Sequence, residues 1–167
     1  NIEDIDISDT FDPVSDINNH QNFNYKNNQN KQELAILNLI SVDRSLYDIE
    51  QMFGFISNRG GIFINQYFSF TNKNGIERFR ILNALNPGTF ENTTKTFAIV
   101  IVTDLILTDD PLKTIKQMIE FSLSFTEKFH ATLCDQDRTP ITKQMISHME
   151  SKAQDVERLK QLNNYSN

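Results

Sequence analysis

Few side chains in this sequence could do chemistry, and their spacing argues against it. The histidines are His20, His130 and His148. None stands at a metal-type spacing with other ligands. His148 falls inside a helical pattern and reads as a partly exposed helix residue. Cys134 has no motif partner, and a lone strand cysteine behaves as a small hydrophobe more often than as a nucleophile. Asp135 and Asp137 could form a carboxylate pair, but the stretch CDQDRTPIT reads as a turn, with Asp135 and Asp137 as turn and cap residues beside Arg138. No phosphate loop, dinucleotide fingerprint or nucleophile elbow occurs. The sequence therefore predicts a non-enzymatic domain with no cofactor and no metal.

The remaining candidate chemistry is recognition, and it lies between Glu77 and Thr103. Two apolar runs, Arg78 to Leu85 and Phe97 to Val102, flank a polar segment carrying Pro87 and Gly88. Both runs are β-branched and aromatic and have strand length. Successive side chains of a strand point to opposite faces. Phe79, Ile81 and Leu85 then share one face, and Arg78, Arg80, Leu82 and Ala84 the other. In the second run Phe97, Ile99 and Ile101 oppose Ala98, Val100 and Val102, so both faces are apolar. Such a strand is either covered by helices on both sides or borders an open apolar surface.

The elements around these strands decide between the two. Gln32 to Val42 reads as a first strand, with Leu34, Ile36 and Asn38 on one face and Ala35, Leu37 and Leu39 on the other. Ser45 to Gly60 reads as a helix, Ser45 and Asp48 having capping-box-like spacing and Leu46, Ile49, Met52, Phe53 and Ile56 forming one stripe. Ile62 to Thr71 and Ile76 to Leu85 pair as a hairpin across Asn72-Lys73-Asn74-Gly75. Phe68 and Phe70 join the core face with Phe79 and Ile81, leaving Tyr67, Ser69 and Thr71 beside Arg78, Arg80 and Leu82. Asp110-Pro111 opens a second helix, with Leu112, Ile115, Met118, Ile119, Phe125 and Phe129 inward. Ala131 to Cys134 is a short strand. Thr142 caps a last helix, Lys143 to Leu162, with Met145, Ile146, Met149, Ala153, Val156 and Leu159 inward.

The order is β-α-β-β-β-α-β-α. Each helix has one apolar and one charged face, so none reads as sandwiched. Three helices suffice for one side of one sheet, and the expected fold is α+β: a mostly antiparallel sheet, three helices packed on one face, and an exposed apolar opposite face. On that face Leu34, Ile36, Tyr67, Leu82, Ala84, Ala98, Val100 and Val102 form a shallow trough, with Ser69 beside them and Arg78 and Arg80 at one end. It suits an amphipathic peptide with two or three apolar anchors and acidic flanks, held at about micromolar strength.

Length and charge fit this reading. The 167 residues suffice for one domain with a real core. The net charge of −6 is uneven: residues 1–30 hold six acids and one base, and the rest sixteen acids and fifteen bases. A near-neutral domain lacks the basic field that nucleic acid demands. Residues 1–30, rich in Asn and Asp, read as a disordered linker. A short interaction motif around Ile7 to Val14 is the functional alternative. The domain itself is expected over 31–162, followed by a tail at 163–167. The chain opens on Asn1 and on acidic, polar residues, which predicts a fragment or processed piece without a signal peptide. No run reaches the roughly 18–20 apolar residues of a membrane helix. A single cysteine fits a reducing compartment.

Three stretches also resemble the bacterial ZipA C-terminal domain family. They are Ile36-Leu37-Asn38-Leu39, then Leu82-Asn83-Ala84 running into Pro87-Gly88-Thr89-Phe90, and finally Leu133-x-Asp135-x-x-Arg138-x-Pro140-Ile141-Thr142-x-Gln144. The resemblance spans about residues 31 to 162. It implies a sheet with three helices on one side, whose exposed face binds the C-terminal tail of FtsZ, the tubulin-like division GTPase. It also implies a full-length protein that tethers FtsZ filaments to the cytoplasmic face of the inner membrane, through an N-terminal helix outside this chain. Leu34 and Ile36, Tyr67 and Ser69, Leu82 and Ala84, and Ala98 and Val100 fall on the family's groove positions. Ala84 stands where the family has a large Met, Val100 where it has Phe, Ser69 where it has Ile, and Asn86 where a Lys is frequent. The resemblance therefore implies a shallower trough here. The competing readings of the same face are RNA binding, which needs stacking aromatics that only Tyr67 supplies, and a small-ligand or dimerisation surface. A monomer is the expected state.

Overall fold

A computed structural model gives the architecture and describes Pro13 and residues 32–165. In chain order the elements are β1 (Leu34–Ser41), α1 (Ile49–Asn58), β2 (Ile62–Ile64), β3 (Tyr67–Thr71), β4 (Glu77–Asn83), β5 (Ala98–Asp104), α2 (Pro111–Phe129), β6 (Ala131–Cys134) and α3 (Lys143–Tyr165). The strands form one sheet in the order β2-β3-β4-β5-β1-β6, and every neighbouring pair is antiparallel. This is the expected α+β fold, with one strand more than the alternation predicted.

The extra strand comes from a turn inside the run Ile62 to Thr71. Asn65 and Gln66 both take positive φ, 50° and 66°, as a two-residue hairpin turn requires. The chain reverses there, so Ile62 pairs with Ser69 and Ile64 with Tyr67. The hairpin across Asn72 to Gly75 forms as expected. The Asn72 carboxamide oxygen accepts from the Asn74 and Ile76 amides at 2.8 and 3.0 Å, and Gly75 supplies the left-handed φ of 81°.

All three helices pack on one sheet face. Their inward residues, among them Met52, Ile56, Ile115, Met118, Phe125, Ala153 and Val156, join Ala35, Leu37, Leu39, Phe68, Phe79, Ile81, Ile99 and Ile101 in the main core. Aromatic rings fill much of it: Phe70 stacks on Phe79 at 4.5 Å and Phe125 on Phe129 at 4.5 Å. Tyr47 places its ring edge-on to Phe125 and donates its hydroxyl to the Leu39 carbonyl at 3.0 Å. Burial there drives the Tyr47 phenol pKa well upward, so it is a structural donor.

The caps follow the sequence with one shift. Asp110 caps α2 through the Lys113 amide at 3.1 Å, with Pro111 at the first position, and Thr142 accepts from the Met145 amide at 3.2 Å. At α1 the cap is Asp48, which accepts from the Gln51 amide at 3.0 Å, so the helix begins later than a Ser45 cap implied. Ser45 instead donates its amide to the Asp43 carboxylate at 3.0 Å. Leu46 thus lies outside the helix. Leu159 was expected inward, but it is exposed, because α3 reaches past the edge of the core after Val156.

Candidate functional site

The strand registers align the predicted trough residues in rows across the sheet face opposite the three helices. One row runs Ile62, Ser69, Arg80, Val102, Ile36 through the β2–β3, β3–β4, β4–β5 and β5–β1 pairings. Continuing the β3–β4 register by one step, the next runs Ile64, Tyr67, Leu82, Val100, Asn38. A third holds Ala84, whose amide donates to the Ala98 carbonyl at 3.0 Å, and Ile40 opposite Ala98. Ile36, Leu82, Ala84, Ala98, Val100 and Val102 form a second apolar cluster with Leu85 and Phe97, separate from the main core, and Leu34, Ile40 and Tyr67 pack against it. Every apolar residue predicted for the trough is in this one cluster.

The face departs from expectation in its contact with water. Val102 is 0% exposed, Val100 1%, Leu82 2% and Ile36 7%. No residue of the three helices belongs to the cluster, so the arrangement of layers is as predicted, but these side chains are dry.

The sequence placed both Arg78 and Arg80 at one end of the trough; only Arg80 is there. Between Phe70 and Thr71 the pairing slips, so that Thr71 meets Glu77 while Phe70 meets Phe79. Arg78 is left as the extra residue of a bulge, and a bulge re-aims the side chain at its position. The guanidinium turns to Asp109, gripping both carboxylate oxygens at 3.1 Å, and donates to Gln117 of α2 at 3.2 Å. The same slip brings Glu77 to the trough side. There it accepts from the Arg80 Nε at 2.6 Å and from the Ser69 hydroxyl at 2.7 Å, while the Arg80 guanidinium lies 4.4 Å from the Tyr67 ring centre. Ser69, Glu77, Arg80 and Tyr67 thus make a polar end wall.

The hydrogen bonds from Arg78 hold the Asp109 carboxyl down at about 2, with the Asn72 side chain assisting. A free aspartate titrates at about 3.9. A group whose folded pKa is depressed contributes stability above the unfolded pKa and loses it as pH falls through the folded one. The Arg78–Asp109 contribution is therefore present above about pH 4 and fades between about pH 4 and 2. In urea melts at pH 7, 4 and 2, Asp109→Asn is expected to shrink the gap between its midpoint and that of the native chain as the pH drops. Equal gaps at all three values would mean that the pair does not stabilise the fold.

Ile62 and Ile64 are trough residues that the sequence reading missed. They are 54% and 48% exposed and lie on the edge strand. Read as one strand with Phe68 and Phe70, they fall on the core face; the turn at Asn65-Gln66 reverses their side. The Asn65 tolerance of positive φ was the available signal.

Among the described residues, those considered for catalysis lie apart, and His20 falls outside the described residues. His148 is exposed on α3 and borders a cleft of about 670 Å³, which Leu34, Ile36, Met145 and Met149 also line. Cys134 is buried beside β1, and burial raises its thiol pKa, away from a reactive thiolate. Asp135 accepts from the Thr139 amide at 2.8 Å, as a turn residue does. Among the described residues no group of His, Cys, Asp or Glu could hold a metal ion, and no helix is long and apolar enough to cross a membrane.

A sheet backed by helices on one side, with aligned apolar rows and a polar end wall on the other, is an arrangement that protein-binding domains use. The model of one such family, ZipA, C-terminal FtsZ-binding domain, matches residues 43–152, and the chain belongs to that family. The family is a cell-division module that binds FtsZ, not an enzyme family. The matched stretch opens after β1, so Leu34 and Ile36 join the site through their pairing with β5. A comparison with curated proteins returned no match.

Proposed function

We propose that this domain is a non-catalytic adaptor that captures the C-terminal tail of FtsZ along the trough. Leu34, Ile36, Tyr67, Leu82, Ala84, Ala98, Val100 and Val102 receive the tail's apolar anchors. Ser69 and Arg80 stand at the polar end, where a guanidinium suits an acidic flank. The observation that carries this reading is the apolar cluster on the sheet face opposite the three helices, in an FtsZ-binding family member. In the whole protein, a membrane helix joined through a linker would tether FtsZ filaments to the inner membrane, with this domain monomeric on the cytoplasmic side. A near-neutral domain gives RNA little to hold, which favours a protein tail over an oligonucleotide.

The test is a titration with a synthetic FtsZ C-terminal peptide, followed by backbone amide shifts. Shifts are expected at residues 34–36, 82–84 and 98–102, at micromolar to high micromolar peptide. Shifts confined to other surfaces, or none at all, would reject the trough as the site.

A further inference from the structure

The dryness of the trough requires a cover. Side chains stand roughly perpendicular to a sheet, so neighbours shield their flanks while their tips stay wet, unless a further layer lies on them. Val100 and Val102 are central in the sheet and nevertheless 1% and 0% exposed. The cluster they belong to draws its described members from strands and from the flanking Ala84, Leu85 and Phe97, with no helix residue among them.

We propose that the cover is the chain's own N-terminal segment, Ile5 to Ile17, docked in the trough as an intramolecular competitor of the FtsZ tail. This rests on the trough being the tail-binding site. The segment has the chemistry that such a trough selects. Ile5, Ile7, Phe11, Val14 and Ile17 are apolar anchors, and Asp6, Asp9, Asp12 and Asp16 alternate with them. Two basic groups border the cluster: Arg80, already paired with Glu77 at 2.6 Å, lies against Tyr67 at one end, and Arg44, 5.6 Å from the Phe97 ring centre, offers positive charge at the other. Pro13, the one described residue before Gln32, is helical and partly buried. The dipeptide Asp12-Pro13 repeats in sequence the Asp110-Pro111 pair that opens α2.

The connection also reaches. Residues 18–33 link the segment to β1, which itself lines the trough. A flexible linker of that length spans on average about 20–25 Å, and a seven- or eight-residue strand is about 25 Å long. A tether matched to its span gives an effective concentration near millimolar. A segment of 10–100 micromolar intrinsic affinity would then fill the trough about 90–99% of the time, and the apparent Kd of an incoming tail would rise about 10–100-fold. An acidic, anchor-bearing segment thereby sets a threshold that a single FtsZ tail meets poorly and a filament presenting many tails meets well.

The test compares the full chain with a full-length variant carrying Ile7→Ser, Phe11→Ser and Val14→Ser, which removes the anchors and keeps the charge. Amide spectra of the two are expected to differ at Ile36, Leu82 and Val100, and a synthetic peptide of residues 3–20, added in trans, should reverse those differences. The variant should also bind labelled FtsZ C-terminal peptide about tenfold or more tightly. If the trough amides superimpose in the two chains, or both bind the tail within twofold of each other, self-docking is overturned, while trough binding of the tail still stands. If the tail binds neither chain but the trough amides differ, the segment is the occupant and the FtsZ-tail reading fails instead.

Discussion

Leu82→Ala is expected to weaken binding of the FtsZ C-terminal peptide by about tenfold or more. Leu82 sits mid-row between Tyr67 and Val100 and is 2% exposed. Truncating it removes most of a leucine's apolar contact, about 1.5–3 kcal/mol when fully desolvated, and 1.4 kcal/mol is a factor of ten in Kd. The full effect should appear in the chain that already carries Ile7→Ser, Phe11→Ser and Val14→Ser. If the N-terminal segment rests on the same row in the native chain, the truncation weakens its hold as well, and the loss of tail affinity should be visibly smaller there. Isothermal titration of the four chains forms a double-mutant cycle that isolates this coupling. A thermal melt must accompany it, because Leu82 also packs against the sheet. A loss of two- to threefold or less in the chain without anchors would mean that the tail does not rest on this row.

Phe90→Ala is expected to lower stability by about 3–5 kcal/mol, the usual cost of deleting a buried aromatic ring. Phe90 is fully buried, 5.7 Å from the Phe53 ring and 5.8 Å from the Phe68 ring. It anchors the loop Pro87 to Phe90 in the main core, and its amide donates to the Gln66 carbonyl at 2.8 Å. The loop is held a second time by Asn83, whose side chain donates to the Thr89 carbonyl and accepts from the Leu85 amide, both at 3.1 Å. The loop therefore couples the two faces: Phe90 fills the core, while Ala84 and Leu85, just before the loop, belong to the trough cluster. Urea unfolding of the variant should show a midpoint reduced in proportion, against a typical total stability of about 5–15 kcal/mol. A cost below about 1 kcal/mol would show that the loop is placed by its backbone alone.

The polar end wall owes its composition to one slipped residue. Had β4 paired with β3 without a bulge, Arg78 and Arg80 would stand together over the trough, two like charges competing for one acidic flank. The bulge at Arg78 sends one of them to Asp109 and leaves Glu77 to orient the other. Alternation along the strand could not reveal this, because a bulge changes the count on one strand only.

Ile62 and Ile64 show the same limit. Their place on the trough face depends on two positive φ values at Asn65 and Gln66, and a Gln at such a position carries little turn signal. The Asn72 to Gly75 hairpin was legible because Asn and Gly at a loop tip prefer that backbone for local reasons. The Asp110-Pro111 helix start was legible for the same kind of reason, since a side-chain oxygen and a fixed φ act within one turn.

What the sequence determined by itself was periodicity. Two-residue alternation in Ala98 to Val102 and helical spacing in Ile115 to Phe129 set which side chains share a face, since those periods are properties of the backbone. From them came the layer of three helices on one sheet face and the second apolar cluster. Tertiary structure alone decided which residues a bulge or a tight turn moves across the sheet, and whether an apolar face meets water. Both depend on what lies opposite, which no residue's own neighbours in sequence can specify. The trough was readable as an apolar surface from its own strands; the low exposure of Ile36, Leu82, Val100 and Val102 was not, because how much water a side chain meets depends on everything packed around it.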